Sequence, residues 1–204
     1  MTTPPRSPSA LDGVRERPGG RSERVRSAVL GAAREQLSEH GWDAFSHRAT
    51  ARRAGVDPAT VYRRWPTRAR LAVDALLELA HTAVPVPDTG ALADDLERFL
   101  RSVRAVLGDA RLLRLLHALS IATAADDDEL RETVSAFWSL RFEQAAAMIE
   151  RGVERGELPA GADAHGIIER LVSPLYFRAL ISAEPLDDSL IRSSLDSALR
   201  DARR

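Results

Sequence analysis

The sequence lacks cysteine, lysine and asparagine entirely, and aromatic residues make up only 5% of its 204 residues. The absence of cysteine excludes disulfide frameworks, cysteine-ligated metal sites and cysteine nucleophiles. No apolar run approaches the ~20 residues that a membrane-spanning helix needs, and the first residues contain no apolar signal-peptide core. We therefore expect a soluble cytoplasmic protein. Its apolar content of 44% is enough for a sizeable core without a covalent staple.

Signatures of catalysis and cofactor binding are also missing. The sequence contains no G-x-S-x-G nucleophile elbow, no glycine-rich phosphate loop, no H-E-x-x-H motif and no dinucleotide fingerprint. Its five histidines are scattered along the chain. The acidic run 126–129 is expected to begin a helix, where carboxylates complement the helix dipole, rather than to bind a metal. The sequence therefore predicts a protein that is not an enzyme and that needs no cofactor or metal.

Charge is distributed unevenly, although the net charge is only −1. Residues 1–82 carry fourteen arginines against nine carboxylates, whereas residues 83–204 carry fifteen against twenty-one. A basic first third and an acidic remainder indicate two parts with different partners, and the basic part suits a polyanion. Chance gives such a split as well, so charge alone does not decide.

Helical periodicity dominates the chain, and no stretch alternates long enough to predict a strand. We expect an all-α protein in which a disordered arm rich in arginine, proline and glycine, residues 1–20, precedes two domains. The loop 84–90 contains two prolines and a glycine, so it predicts the joint between a domain at 21–82 and a domain at 83–204.

The expected helices follow from their caps. In the first domain, a helix capped by Ser22 ends before Gly41, and short helices begin at Ser46, Asp57 and Thr67. The second domain is expected to contain helices at 91–107, 110–124, 127–155, 163–183 and 187–202.

The stretch 45–65 has the spacing of a helix-turn-helix. Ala51 is small enough for two helices to cross, Gly55 tolerates the positive φ of the turn, and Val61 anchors the second helix to the first. Val56 and Val61 flank the Asp57 cap, which is the arrangement of a hydrophobic staple. This pattern favours DNA binding over the alternative, a helical hairpin whose basic residues are only solvated.

If Val56 and Val61 face inward, the second helix presents small and basic residues outward. Arginine suits bidentate contact with guanine, and either arginine of this helix is a candidate for it. His47, Arg48 and Arg68, at the starts of the flanking helices, are expected to contact the phosphate backbone. The outward residues predicted to contact DNA are Pro58, Ala59, Thr60, Tyr62, Arg63 and Arg64.

Residues 24–79 resemble the DNA-binding domain of the TetR family of transcriptional regulators. The resemblance rests on His40-Gly41-Trp42, on Ala54-Gly55-Val56, on Thr60-Val61-Tyr62 with Trp65, and on Arg68 and Leu71. It implies a homodimer whose three N-terminal helices bind an operator. It also implies a larger C-terminal helical domain that binds a small molecule and dimerises, and that ligand binding releases the protein from DNA.

Individual positions carry the resemblance further. Thr60, Tyr62 and Arg64 match family positions that contact DNA, and Arg68 stands where a phosphate-binding lysine is usual. Thr50 departs from the family, which has an aliphatic residue there. We expect its hydroxyl to bond back to the backbone at Ser46, which would lower the cost of placing a polar group in the core.

The C-terminal part resembles the family less specifically, at 150–158 and 171–178. Two apolar stripes near the chain end suit a four-helix dimer seam, although filling the core of one monomer is the alternative. Pro174 is expected to kink its helix. The residues predicted to form the dimer interface are Ile168, Leu171, Val172, Leu175, Tyr176, Ala179, Ile191 and Leu195.

The helices between these parts are expected to enclose a largely apolar effector site. A few polar groups among apolar ones are what a small-molecule site needs, although an ordinary core has the same composition. The predicted ligand-binding residues are Phe99, Val103, Leu116, His117, Trp138, Arg141 and Phe142.

These patterns predict a ligand-responsive regulator, expected to be a repressor, whose partners are double-stranded DNA, a second copy of the chain and an apolar effector. The arginines at positions 15, 17, 21 and 24 either add DNA contacts or belong to a plainly disordered arm. The alternative is a helical small-molecule or protein-binding module with a vestigial helix-turn-helix, which would show no sequence-selective DNA affinity. A third hypothesis, an all-helical enzyme, has no supporting residue set.

Overall fold

The computed structural model describes residues 18–122 and 128–202, and every regular element in these ranges is helical. No helix in the described ranges is both long enough and apolar enough to cross a membrane. The helices are α1 Pro18–His40, α2 His47–Ala54, α3 Pro58–Arg64, α4 Arg68–Ala83, α5 Leu92–Gly108, α6 Ala110–Ala122, α7 Asp128–Glu154, α8 Ala164–Phe177 and α9 Asp188–Ala202, with a π turn, Arg178–Ser182, after α8.

The predicted caps of the three short helices are confirmed. The Ser46 hydroxyl accepts the Ala49 N–H at the start of α2, and the Asp57 carboxylate accepts the Ala59 N–H at the start of α3. The Thr67 hydroxyl accepts the Arg70 N–H at the start of α4. Gly55 has the predicted positive φ, +67°, which lets α2 end and α3 begin within a few residues.

The first helix begins earlier than predicted. It starts at Pro18, so residues 18–20 are helical and Ser22 is not its cap. A proline at the first helical position loses no backbone hydrogen bond, because the first N–H groups of a helix have no intrahelical acceptor. The rest of the expected arm, residues 1–17, lies outside the described residues. So do the first two residues of the acidic run, whereas Asp128 and Glu129 form the first turn of α7.

The helix-turn-helix is packed as predicted. Ala51 and Val61 are fully buried in a core that α1, α2, α3 and α4 share. This core also receives side chains from the second half of the chain, so it is not confined to the expected first domain. The contributing residues of α6 and α7 are Leu115, Leu130, Val134 and Phe137.

Thr50 is accommodated differently from the prediction. Its side chain is fully buried, and its hydroxyl donates to the Gln36 side-chain oxygen of α1 at 3.2 Å rather than to the backbone at Ser46. Gln36 is itself only 6% exposed. The polar residue is therefore tolerated because a buried acceptor on the neighbouring helix satisfies it.

The apolar stripes of α8 and α9 fill the core of the single chain. Ile168, Leu171, Val172, Leu175 and Ile191 are at most 7% exposed, because α8 packs against α5, α7 and α9. Side chains buried within one chain have almost no surface left for a second, and a dimer interface at these residues stays a prediction. The other three predicted interface residues, Tyr176, Ala179 and Leu195, are half-buried against the same core.

The predicted helix 163–183, which carries the first of these two apolar stripes, is divided in two. α8 continues through Pro174 to Phe177, and the π turn follows and ends at Ala183, whose φ is +54°. Pro174 lacks the N–H that would bond the carbonyl four residues earlier, so its effect falls on the turn before it and does not explain the π turn.

Gly152 of α7 lies against Leu92 of α5 with no room for a methyl group. A Cβ at position 152 would stand 2.9 Å from a Leu92 methyl carbon, and Leu92 is itself buried. We expect Gly152→Ala to lower the free energy of unfolding by about 1 kcal/mol, because overpacking outweighs the helix-propensity gain. Urea denaturation followed by circular dichroism measures this.

Gly31→Ala is the matched control, because a Cβ there would meet only the end of the Arg34 side chain, at 3.8 Å. Alanine in this helix should raise the free energy of unfolding by about 0.5–1 kcal/mol. Equal effects of the two substitutions would contradict the packing of α7 on α5.

Candidate nucleic-acid interface and ligand cavity

The outer face of α3 is open to solvent. Val61 faces the core and is fully buried, whereas five of the six predicted contact residues are exposed and Thr60 is half-buried. The first turn carries only Pro58 and Ala59 outward, so the N-terminal end of the helix presents no bulky side chain. A helix of this shape can bring its backbone close to a groove of duplex DNA.

Arginines surround this face. Arg63 is exposed and has no ion pair or hydrogen bond within the described chain. Arg64 instead leans toward α1, where it donates to the Ser22 hydroxyl at 3.4 Å and lies 5.5 Å from the centre of the Trp65 ring. Arg21 of α1 lines one open groove together with Thr60, Arg63 and Arg64. The groove between α1 and α3 therefore concentrates positive charge.

His47 was predicted to contact the DNA backbone, and the structure places it in the interior instead. It is only 7% exposed, and its Nε2 lies 2.8 Å from the Trp65 carbonyl oxygen at the end of α3. A carbonyl only accepts, so Nε2 donates the proton of this bond. Its ring also stacks on Tyr62, with 4.4 Å between ring centres. His47 therefore positions α3 and Tyr62, and little of its side chain is left exposed for the predicted DNA contact.

The other two predicted phosphate contacts differ from each other. Arg48 is exposed at the start of α2. Arg68 lies over the Trp42 ring, 4.4 Å from its centre, and its Nε is 3.8 Å from a carboxylate oxygen of Glu129 in α7. The charge of Arg68 is thus already engaged by an aromatic face and a carboxylate, and it joins α4 to the start of α7. Phosphate contact by Arg68 stays a prediction.

A cavity lies among α4, α5, α6, α7 and α8. Six of the seven predicted ligand-binding residues line it, namely Phe99, Val103, Leu116, Trp138, Arg141 and Phe142. The seventh, His117, is half-buried on α6 and does not line the cavity. The free volume of the cavity is about 70 Å³.

The sequence did not predict the part of the cavity wall that α4 supplies. Leu76, Leu79, Ala80 and Ala83 line it, at the three- and four-residue spacing of one helix face. That spacing is visible in the sequence, but it looks like an ordinary core stripe. Tyr176, predicted at the dimer interface, also lines the cavity, and burial raises its pKa to about 12.

Aromatic rings are concentrated on one wall of the cavity. The Trp138 ring stands edge-on to Phe137, with 5.1 Å between ring centres, and edge-on to Tyr176, with 5.3 Å between ring centres. Phe142 lies 6.3 Å from the same tryptophan. Such an assembly of rings offers flat apolar surfaces to a ligand.

Two large apolar side chains are strongly exposed beside the cavity-bearing helices. Phe177 at the end of α8 is 57% exposed, and Ile181 in the π turn is 73% exposed. They are four residues apart. Neighbouring exposed apolar residues of this size mark a surface that another molecule can cover.

Known proteins resemble the chain along most of its length. Residues 29–75 match the family model described as bacterial regulatory proteins, tetR family, and residues 86–198 match a tetracyclin repressor-like C-terminal domain. The chain is 31% identical over 180 residues to the HTH-type transcriptional regulator YdeS of Bacillus subtilis, covering 88% of this chain and 90% of YdeS. It is 36% identical over 152 residues to the HTH-type regulator AqdR of Rhodococcus erythropolis, covering 72% and 70%.

The fold agrees with a solved structure. The crystal structure of the TetR family transcription regulator SCO0332 superposes with a TM-score of 0.72 at 28% identity, covering 87% of this chain and 97% of that one. The likeness therefore includes both the helix-turn-helix and the helices around the cavity.

His47→Phe tests the hydrogen bond by which His47 of α2 holds the end of α3. Phenylalanine keeps a ring against Tyr62 but leaves the buried Trp65 carbonyl without its donor, which costs about 1–3 kcal/mol. We expect a lower free energy of unfolding by that amount, measured by chemical denaturation. The neighbouring exposed Arg48→Ala is the control and should change it by less than about 0.5 kcal/mol. A neutral His47→Phe would contradict the hydrogen bond to Trp65.

Proposed function

Because the chain belongs to the TetR family of transcriptional regulators, we propose that it is a homodimeric repressor of a palindromic operator. A small-molecule effector bound in the cavity releases it from DNA. Members of this family are DNA-binding regulators and not enzymes. The single observation that carries the proposal is the outer face of α3, where Arg63 stands exposed and uncommitted beside a half-buried Thr60 and a stacked Tyr62.

In the proposed complex, α3 enters the major groove. Its small first turn allows close approach, and Thr60 offers a hydroxyl and a methyl group to base edges. Arg63 is the better candidate for a base contact, because Arg64 is drawn toward Ser22 and Trp65. The Tyr62 hydroxyl, held by the His47 stack, suits a phosphate.

The proposed dimer interface is the exposed surface at the C-terminal end of α8, rather than the buried apolar stripes of α8 and α9. Phe177 and Ile181 present apolar surface there, and a two-fold axis would bring each patch against its copy. The apolar area that both chains would remove from water favours association. Two recognition helices held by one dimer contact successive major grooves.

The proposed release depends on α4. Three residues separate the end of α3 from the start of this helix, and its second half forms one wall of the cavity. An effector that fills the cavity favours the position of α4 that accommodates it. If that position of α4 sets the two recognition helices at a distance that does not match the operator, DNA affinity falls. The largest possible loss equals the difference between the effector's binding free energies for the two positions of α4.

Selection of binding sites from a random duplex library by the full-length protein tests the function. We expect enrichment of a palindrome whose half-site centres are about 34–36 Å apart, or a multiple of that distance. No enrichment by a folded protein would contradict the proposal and favour a ligand-binding module with a vestigial helix-turn-helix.

The selected site then allows Arg63 to be tested. Arg63→Ala should flatten the preference at one base pair in each half-site, because one bidentate contact is worth about 1–3 kcal/mol. Arg192→Ala, an exposed arginine of α9 far along the chain, is the control and should change nothing. Uniform weakening with a salt slope reduced by about 1 would instead make Arg63 a phosphate contact, and no change would remove it from the interface.

The dimer surface is tested by Phe177→Glu and Ile181→Glu. Each buries a charge in the proposed apolar interface, so we expect the dimer dissociation constant to rise by about tenfold or more. Sedimentation equilibrium at several concentrations measures this. Ala105→Glu on an exposed position of α5 is the control. An unchanged dimer in both variants would place the interface elsewhere.

A further inference from the structure

Arg141 is an unusual member of the cavity wall. Among the described residues that line the cavity, it alone carries a charge, and it is only 8% exposed. A guanidinium stays protonated in proteins, so the charge is not removed by burial. Taking such a charge out of water costs free energy unless an opposite charge or hydrogen bonds compensate.

The protein compensates this charge only in part. One Arg141 nitrogen donates to the Val84 carbonyl oxygen at 3.0 Å, and another donates to the Gln144 side-chain oxygen at 2.7 Å. Both acceptors are neutral, although Val84 belongs to the partly negative C-terminal end of α4. These bonds use two of the five guanidinium N–H groups. The other three have no partner within residues 18–122 and 128–202.

Other partly buried arginines of the chain are treated differently. Arg34 pairs with Glu78 at 2.7 Å, Arg155 with Glu157 at 2.6 Å, and Arg178 with Glu184 at 3.3 Å. No described carboxylate pairs with Arg141. Burial lowers the pKa of Arg141, and the nearby group that opposes this effect is the Tyr176 hydroxyl. The cavity therefore contains one positive charge whose counter-charge the described chain does not supply.

The rest of the cavity wall restricts the body of a ligand. Apart from Arg141, the lining is almost entirely aliphatic or aromatic, with the rings of Trp138, Phe142 and Tyr176 close to one another. A second charged group would find no partner there. A ligand that fits carries one negative charge at one end and an apolar body.

We propose that the ligand of this cavity is an apolar monocarboxylate whose carboxylate is bound by the free N–H groups of Arg141. The proposal rests on the ligand-binding role of the cavity given under the proposed function. The planar guanidinium matches a carboxylate in charge and in its two-pronged geometry. A phosphate, with a larger charge and more oxygens to satisfy, would need further donors that the apolar wall lacks.

Arg141 also gives the ligand a route to α4. The guanidinium that binds the carboxylate is the one that bonds Val84, at the C-terminal end of that helix. A carboxylate bound to the free N–H groups pulls on the same guanidinium that holds the Val84 carbonyl. Ligand binding therefore alters an interaction at one end of α4, whose other end follows the recognition helix.

Matched pairs of carboxylates and their neutral amides test the charge requirement. The full-length protein is titrated at neutral pH with benzoate and benzamide, phenylacetate and phenylacetamide, and hexanoate and hexanamide. Isothermal titration calorimetry and the rise in melting temperature report binding without DNA. We expect at least one acid to bind at millimolar concentration or below, with its amide at least about tenfold weaker. Equal binding of acid and amide, or no binding by any acid of the panel, overturns the proposal.

Substitutions at Arg141 test its role in that binding. Arg141→Gln keeps a polar side chain with N–H donors but removes the charge, so the acid should lose about tenfold or more in affinity and its advantage over the amide should disappear. Arg141→Lys keeps the positive charge but lacks the two-pronged guanidinium, so a reduced preference for the acid over the amide should remain. Arg131→Gln, exposed near the start of the same helix, should bind as the wild type does.

Retained acid affinity in Arg141→Gln overturns the assignment. If that variant does not fold, Arg141→Lys decides. If Arg141→Lys binds the amide as the wild type does but no longer prefers the acid, charge recognition is contradicted. Binding is measured without an operator, so the two proposals fail separately. Acid binding through Arg141 without any selected DNA site would overturn the regulatory function and leave this inference standing.

Discussion

The packing of α4 is the constraint on which both halves of the protein depend. The helix contributes Leu71, Ala72 and Ala75 to the core of the helix-turn-helix, and its second half lines the cavity. Its sixteen residues span about 24 Å at 1.5 Å per residue. A packed helix transmits displacement because close-packed interiors compress little. A displacement of α4 at the cavity therefore also displaces the end of α4 that follows α3.

Buried polar bonds fix the geometry around this helix. His47 ties the start of α2 to the end of α3, Thr50 ties α2 to Gln36 of α1, and Arg141 ties α7 to the end of α4. Each is costly to leave unmade in a low-dielectric interior. The His47 Nε2 proton and the Thr50 hydroxyl proton each have a described acceptor. Arg141 is the exception, since its charge is only partly compensated, and this difference separates a structural polar group from one that is available to a ligand.

Local features of the fold could be predicted because their causes are local. The caps at Ser46, Asp57 and Thr67 depend on a side chain two or three residues from the N–H it accepts, and Gly55 is required by a turn within the same stretch. Six of the seven predicted ligand-binding residues line the cavity, because inward residues of neighbouring helices follow helical periodicity. His117 does not line the cavity, since periodicity gives a face but not the depth at which a neighbouring helix covers it.

The sequence by itself determined an all-helical chain with a helix-turn-helix of the TetR type and an outward basic face on α3. Only the tertiary structure decided which apolar stripes are internal and which polar groups already have partners. Leu171 and Leu175 are internal because α5, α7 and α9 surround α8, His47 is internal because the end of α3 covers it, and Arg68 is engaged because α7 begins beside it. Periodicity records the orientation of a side chain about its own helix, whereas burial and pairing depend on what distant segments place against that side.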